Sequence, residues 1–467
     1  MSYYHNLERY GGRLAAIQDN GKEVTYEELA RIQEQIKKIL HRRALVFTLC
    51  TNTLGSLCAY IGILGADCVQ LLLDADMSKE LLHNLIEIYR PNYLFMPANS
   101  TYYGEKKEIY RIHDYKLIEC YAEDKVELYP QLALLLTTSG STGSPKLVRQ
   151  SYKNIQANVD SIVTYLELDE TERPITTLPM NYTYGLSIIN SHLQVGATIL
   201  FTEKTIMNKQ FWDYAREEEA TSFGGVPYTY EMLKRIKFNR IELPALRTMT
   251  QAGGKLSPEL HMEFAQYAVE MQKQFVVMYG QTEATARMAY LPPKEANHRY
   301  GSMGIVIPGG KFELLSVNDE VITRPNEVGE LIYYGDNVTL GYAEVREDLA
   351  KGDQLGGRLI TGDMAKMDED GYFYIVGRKK RFLKLYGNRI NLDDLDVIIK
   401  RRYQDVDFAS TGDDTGLRVY VNDDTILKQM KEYIQEETGI NPKAVHLYYI
   451  EKVPRNEAGK ILYKELK

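Results

Sequence analysis

The chain of 467 residues is 44% hydrophobic and 26% charged, ordinary values for a globular protein long enough to hold more than one domain. Its formal net charge of −8 excludes nucleic acid as the main partner. Cys50, Cys58, Cys68 and Cys120 form no CxxC pair and no metal-like spacing, and residues 1–10 hold no apolar signal segment, so reduced, buried thiols in a cytoplasmic protein are expected.

In chain order, Thr25 reads as the N-cap of an early helix, with Glu28 completing a capping box. Leu29, Ile32, Ile36 and Ile39 or Leu40 recur as its buried face. Residues 44–66 carry no charge, a length that raises a membrane helix. But Thr48, Thr51, Asn52, Thr53 and Ser56, with Gly55, Gly62 and Gly65, divide the stretch into strand 44–50, turn 51–52 and helix 53–66. With a strand over 68–73 this is a buried βαβ unit, and no membrane span is expected. A helix over 78–89 ends before Pro91, and strand 93–96 follows. Alternation this regular implies mostly parallel sheet.

Leu132-Ala133-Leu134-Leu135-Leu136 reads as a short buried strand, and residues 152–166 as a helix with Ile155, Val159, Ile162 and Leu166 on one face. Between them stands Thr137-Thr138-Ser139-Gly140-Ser141-Thr142-Gly143-Ser144-Pro145-Lys146. Such a loop can aim backbone N–H groups and hydroxyls at an anion, and Lys146 adds a charge suited to phosphate. It is not the P-loop of kinases and GTPases. Counting from Gly140, the second Gly of that pattern falls on Pro145, and Leu147 follows Lys146 in place of a hydroxyl.

Further along come Leu178-Pro179-Met180-Asn181-Tyr182-Thr183-Tyr184-Gly185, then Thr250-Gln251-Ala252-Gly253-Gly254, then Met278-Tyr279-Gly280-Gln281-Thr282-Glu283 after the strand signal Phe275-Val276-Val277. A Gly-Gly turn lets backbone lie flat against a base, Tyr offers a stacking face, and a carboxylate suits magnesium. Tyr184 reads as a core aromatic. Gly301-Ser302-Met303-Gly304, Gly329-Glu330-Leu331 and Gly341-Tyr342 read as turns between short strands. Thr361-Gly362-Asp363 supplies a carboxylate, the natural bidentate acceptor for a vicinal diol. In Gly377-Arg378-Lys379-Lys380-Arg381, the residues Lys379 and Arg381 read as solvated charges. From about residue 382, helix over 392–403, strand 417–421, helix 425–438 and strand 444–450 alternate, enough for a small α+β domain. Pro454-Arg455-Asn456-Glu457-Ala458-Gly459-Lys460 closes the series.

These motifs, in this order and over essentially the whole chain, resemble those of the acyl-adenylate-forming superfamily: acyl-CoA synthetases, firefly luciferase and the adenylation domains of non-ribosomal peptide synthesis. The resemblance implies an α/β fold, with a large N-terminal domain (1–379) of stacked mixed, mostly parallel sheets with helices. A small mobile α+β domain (380–467) would carry the catalytic lysine, Lys460, and turn about a hinge at Lys380. It implies an AMP-forming acid–thiol ligase using ATP and Mg2+, with CoA or a phosphopantetheine thiol as co-substrate and a small-molecule carboxylic acid as partner. By resemblance Thr138, Ser139, Gly140, Ser141, Thr142, Gly143 and Lys146 would hold phosphate, and Gly253, Gly254, Tyr279, Gly280 and Gln281 would line the nucleotide site. Thr282 would donate to the α-phosphate and Glu283 would hold the metal. Asp363 would accept the ribose hydroxyls, and Arg378 would contact the ribose. Tyr182, Thr183, Gln251 and Met278 would line the acyl pocket.

Amino-acid-activating members place an Asp where Thr183 stands. An ammonium buried without a carboxylate is costly, so a fatty, small aliphatic or aromatic acid is expected. Gly387-Asn388-Arg389 resembles the family turn beside the thiol tunnel. The family usually has Arg three residues after the catalytic lysine; here it is Tyr463, which leaves acceptor recognition open. Two alternatives stand beside this reading: a stand-alone enzyme loading an amino or aryl acid onto an acyl carrier protein, and a nucleotide-binding homologue without catalysis.

Overall fold

The computed structural model describes residues 4–102, 106–137, 146–385, 388–413, 416–455 and 461–466. Thr138, Ser139, Gly140, Ser141, Thr142, Gly143, Gly387 and Lys460 lie outside the described residues. The chain divides into two compact units, residues 1–311 with 334–359, and residues 312–333 with 360–467.

Two large mixed sheets build the first unit. One has nine strands in the order Ile305–Val306, Ala289–Tyr290, Gln274–Tyr279, Thr248–Gln251, Ser222–Gly225, Pro174–Ile175, Ile199–Phe201, Leu14–Gln18 and Glu23–Thr25. The other has eight, in the order Tyr342–Ala343, Leu147–Ser151, Leu132–Thr137, Val69–Asp74, Leu45–Cys50, Tyr93–Pro97, Tyr115–Glu119 and Glu108–Ile112. In each, the central strands pair parallel and both edges are antiparallel. Central strands covered on both faces are near-continuous apolar runs; Leu45–Cys50 is buried at every position, Thr48 included.

The uncharged stretch is the expected βαβ unit. Its helix, Leu54–Gly65, is buried all round, as a helix inside a core must be. One apolar cluster joins it to helix Tyr26–Leu40, to Ala15 and Ile199 of the nine-stranded sheet, and to Val46, Leu72 and Leu134 of the eight-stranded sheet. Among the described residues no helix is long and apolar enough to cross a membrane. The capping box is present: Glu28 N donates to Thr25 Oγ1 at 3.2 Å, and Thr25 N donates to Glu28 Oε2 at 2.8 Å. Leu40, not Ile39, completes that helix's buried face. The helix expected over 78–89 runs Lys79–Tyr89 with Ser78 as its cap.

Helix Tyr152–Leu166 has the bounds the periodicity indicates. The path into it differs from expectation. A strand, Leu147–Ser151, returns antiparallel along Leu132–Thr137, with Thr137 opposite Leu147. Residues 138–145 therefore connect two paired strands. Arg149 and Gln150 hide this strand in the sequence, yet Arg149 is fully buried. Its guanidinium donates to the carbonyls of Leu340, Tyr342 and Gly352 and to Gln354 Oε1, which a buried charge requires. Cys50, Cys58 and Cys68 are buried as expected, whereas Cys120 is half-buried; none of the four is in a disulfide.

The second unit holds a four-stranded sheet in the order Lys311–Leu315, Gly329–Tyr334, Arg358–Met367, Phe373–Arg378. It also holds a two-stranded hairpin, Phe382–Leu385 with Asn388–Asn391. A three-stranded sheet follows, Phe408–Asp413, Gly416–Val421 and Val445–Tyr449, with helices Leu392–Arg402 and Leu427–Thr438 packed on it. The strand Phe408–Asp413 and the hairpin are additions to the alternation read from sequence.

Candidate active site

Three parallel neighbours of the nine-stranded sheet end side by side. Gly225 is in register with Gln251, and Gln251 with Val277. The Gly253-Gly254 turn and the Tyr279–Glu283 segment thus leave adjacent strands at their C-terminal ends, where open α/β sheets place ligands. Gly280 is there of necessity: a Cβ on it would lie 1.7 Å from the Ala286 carbonyl oxygen. The chain then makes one 3-10 turn, Thr282–Ala284, and Thr285 takes φ +63°.

Backbone N–H groups and side chains together meet the carbonyls of this turn. Thr339 donates to the Glu283 carbonyl from both N and Oγ1, each at 3.0 Å. Asn337 Nδ2 donates to the carbonyls of Ala284 (2.9 Å) and Arg287 (3.0 Å), and Thr285 Oγ1 donates to Asn337 O at 2.7 Å. Gln150 Nε2 reaches the Thr282 and Thr285 carbonyls. Thr183, the helix residue after Tyr182, donates its hydroxyl to the Thr285 carbonyl. Thr282 and Glu283 therefore stand on a backbone clamped from two sides.

Glu283 Oε1 accepts from the Tyr342 hydroxyl at 2.7 Å. Burial, reinforced by the Glu283 charge, pushes the Tyr342 phenol well above its ordinary value, so it remains a donor. Lys146 Nζ lies 5.7 Å from the Tyr342 ring centroid and 2.6 Å from Glu344 Oε1. Both partners of that ion pair are more than half exposed, so it contributes little and can exchange for another anion. Tyr342, read from sequence as part of a turn, is thus the residue that orients Glu283. Among the described residues no cluster of three or more His, Cys, Asp or Glu could hold a metal by itself. A lone half-buried carboxylate does fit magnesium, which is commonly held by one or two carboxylates plus substrate phosphates.

Around the glycine turn, Gly253 has φ +83°, and a Cβ there would lie 2.5 Å from the Tyr182 hydroxyl. Burial pushes Tyr182 up to about 12. Gln251 Nε2 braces the turn by donating to the Gly254 carbonyl at 2.9 Å, and its buried Oε1 has no partner among the described residues. Tyr182 and Tyr184 meet edge to face at 6.3 Å. Tyr184 is a core aromatic as expected, its hydroxyl 2.7 Å from Thr250 Oγ1. Met278 receives two donors at its sulfur, Tyr165 OH at 3.2 Å and Arg287 Nη1 at 2.8 Å. Arg287 carries no sequence signal beyond being a lone cation in the run from Ala284 to Ala289.

In the second unit, Asp363 and Arg378 face each other across an antiparallel pair. Asp363 is 2% exposed, and its Oδ1 lies 2.6 Å from Arg378 Nε. Asp363 N donates to Thr361 Oγ1, which in turn donates to the Leu331 carbonyl. The neighbouring basic run is not simply solvated. Lys379 pairs with Glu330 at 2.7 Å. Arg381 is largely buried, pairs with Asp393 and Asp396 at 2.5 Å each, and lies 4.6 Å from the Tyr463 ring centroid.

Residues 3–343 match the family described as AMP-binding enzyme. The chain is 30% identical over 274 residues to an oxalate–CoA ligase of Arabidopsis thaliana, covering 57% of this chain and 52% of that protein. It is 28% identical over 349 residues to the peroxisomal OPC-8:0-CoA ligase 1 of the same plant, covering 72% and 63%. The matches thus span between half and two thirds of those relatives' own length. Among solved structures, o-succinylbenzoate CoA synthetase of Bacillus subtilis bound to its acyl-adenylate superposes with a TM-score of 0.81 at 19% identity, over 100% of this chain and 98% of that one. Matched over most of its length by the family description, and carrying the motif turns on adjacent strand ends, the chain belongs to the AMP-binding enzyme family.

Proposed function

We propose that this protein is an AMP-forming acid–thiol ligase. The observation that carries the reading is the pair of turns at adjacent strand ends: one presents Tyr279, Thr282 and Glu283, the other presents Gly253 against Tyr182. A carboxylate oxygen of the acid attacks the α-phosphorus of ATP, and the bond to pyrophosphate breaks. The thiol of CoA or of a phosphopantetheinyl carrier protein then attacks the acyl carbon, and AMP leaves. Mg2+, when bound with the nucleotide, neutralises the polyphosphate charge.

In this scheme Thr138, Ser139, Gly140, Ser141, Thr142, Gly143 and Lys146 hold phosphate. Tyr279 stacks on the base against Gly253 and Gly254, beside Gly280 and Gln281. Thr282 donates to the α-phosphate, and Glu283, oriented by Tyr342, holds the metal. Asp363, steadied by Arg378, accepts the ribose hydroxyls. Tyr182, Thr183, Gln251 and Met278 border the acid. Residues 1–379 form the large domain. Residues 380–467 turn about Lys380, so that Lys460 serves adenylation and then withdraws for the thiol.

The test is ATP–pyrophosphate exchange across a panel of carboxylic acids, followed by thioester formation with CoA or a purified carrier protein. Acid-dependent exchange is expected. Nucleotide binding with no exchange for any acid would leave only the non-catalytic alternative.

A further inference from the structure

Arg287 is 2% exposed, yet among the described residues no Asp or Glu pairs with it. Its Nε donates to Ser187 Oγ at 3.1 Å, and its Nη1 to Tyr165 OH at 3.1 Å and to the Met278 sulfur. The guanidinium carbon lies 4.9 Å from the Tyr184 ring centroid. Nη2 makes no hydrogen bond among the described residues and is not wholly enclosed. These neighbours supply dipoles and a ring face but no negative charge. The phenols stay neutral, because burial raises both Tyr165 and Tyr184 above the ordinary value.

The elements packed around Arg287 offer no carboxylate either. Helix Thr183–Val195 and strands Gln274–Tyr279 and Ala289–Tyr290 contain no Asp or Glu. Helix Tyr152–Leu166 contains Asp160 alone, which is exposed and accepts from Gln156. Glu283, four residues upstream, is engaged by Tyr342. Arg149 is buried without a carboxylate too, but oxygens meet its donors, whereas Arg287 keeps Nη2 unmatched; a carboxylate arriving with a ligand would meet that donor with a charge-assisted hydrogen bond. The location fits the acid of the ligase reading, in which Met278 and Tyr182 both border it: Arg287 bonds Met278 and faces Tyr184, and Tyr184 meets Tyr182. Arg287 thus stands one aromatic ring away from Tyr182.

We propose that Arg287 is a specificity-determining residue, and that the acid activated by this enzyme carries a second anionic group, a distal carboxylate, which pairs with its guanidinium. This rests on the ligase reading above. It names the chemistry of the far end of the acid, and Tyr165 and Ser187 orient the arginine through its other donors.

The experiment measures acid-dependent ATP–pyrophosphate exchange for matched pairs: succinate against butyrate, glutarate against pentanoate, adipate against hexanoate, and the phthalate isomers against benzoate. At least one diacid is expected to exceed its monoacid by about tenfold or more in kcat/KM, the worth of one charge-assisted hydrogen bond. Arg287→Met, checked for unchanged ATP binding by calorimetry, is expected to lose that preference, and Arg287→Lys to keep part of it. The wild-type ratio stands even if the variants fail to fold. Monoacids equal to or better than their diacids throughout would overturn the role of Arg287 while leaving the ligase reading intact. A diacid preference surviving in Arg287→Met would do the same. Exchange with none of these acids, nor with any of the wider panel, would overturn the ligase reading and this inference with it.

Discussion

Gly280→Ala tests whether the clamped turn is what positions the reaction. The added Cβ would meet the Ala286 carbonyl oxygen at 1.7 Å, the Ala286 carbonyl carbon at 2.7 Å and the Arg287 Cα at 2.9 Å. All three are backbone atoms, so no rotamer change relieves the clash. Either Gly280 or the strand leading to Ala289 must move by roughly 1 Å, in a region close-packed enough to resist it. Overpacking of this kind costs about 1–3 kcal/mol. The same shift displaces Thr282 and Glu283, and a misplacement of about 1 Å at reacting groups costs on the order of 100-fold in rate. The assay pairs urea unfolding with the exchange rate at saturating ATP. Gly12→Ala is the control, because a Cβ there meets nothing within 4 Å. Expected is a stability loss of that size with exchange reduced about 100-fold. If Gly280→Ala unfolds at the wild-type urea concentration and exchanges at the wild-type rate, the turn does not hold the site as described.

Asp363→Ala should weaken ATP binding by roughly 1.5–3 kcal/mol, the worth of a charged acceptor, while the fold survives because Arg378 is half exposed and can rehydrate; unchanged affinity in calorimetry would remove the ribose role. Lys460→Ala should abolish exchange yet still convert supplied acyl-AMP to thioester, whereas Lys380→Pro, which loses a backbone donor and a free φ, should lose mainly the thioester step. Equal loss of both steps in both variants would refute the rotating domain. Burial lowers His192 and His261 to about 4. Since the unfolded chain takes up these protons near 6.5, their neutral burial supports the fold above that value, and stability should fall as pH drops from 6.5 towards 4. Urea unfolding at stepped pH checks this; a His192→Gln variant with the wild-type slope would exclude His192 as a cause.

The features that local chemistry governs were legible in the residues. A capping box at Thr25 and Glu28, an apolar period over 152–166, and a strand–helix–strand rhythm in an uncharged stretch each depend on neighbours a few positions apart. The motif turns were legible too, since Gly280 and Gly253 answer to backbone geometry that few other residues meet. The strand Leu147–Ser151 was not legible, because Arg149 looks like a surface residue until the carbonyls of 340, 342 and 352 come to meet it. Arg381 passed for a solvated charge for the same reason: its partners Asp393 and Asp396 lie on a later helix. Tyr342 stands 59 positions after Glu283, and nothing local says that its hydroxyl will orient that carboxylate. Arg287 is the sharpest case. Its type was visible in the chain, but that it would be buried among Tyr165, Tyr184, Ser187 and Met278, with no anion among the described residues, was decided only when helices and strands from distant segments closed around it, because a charge takes its counter-ion from space and not from sequence.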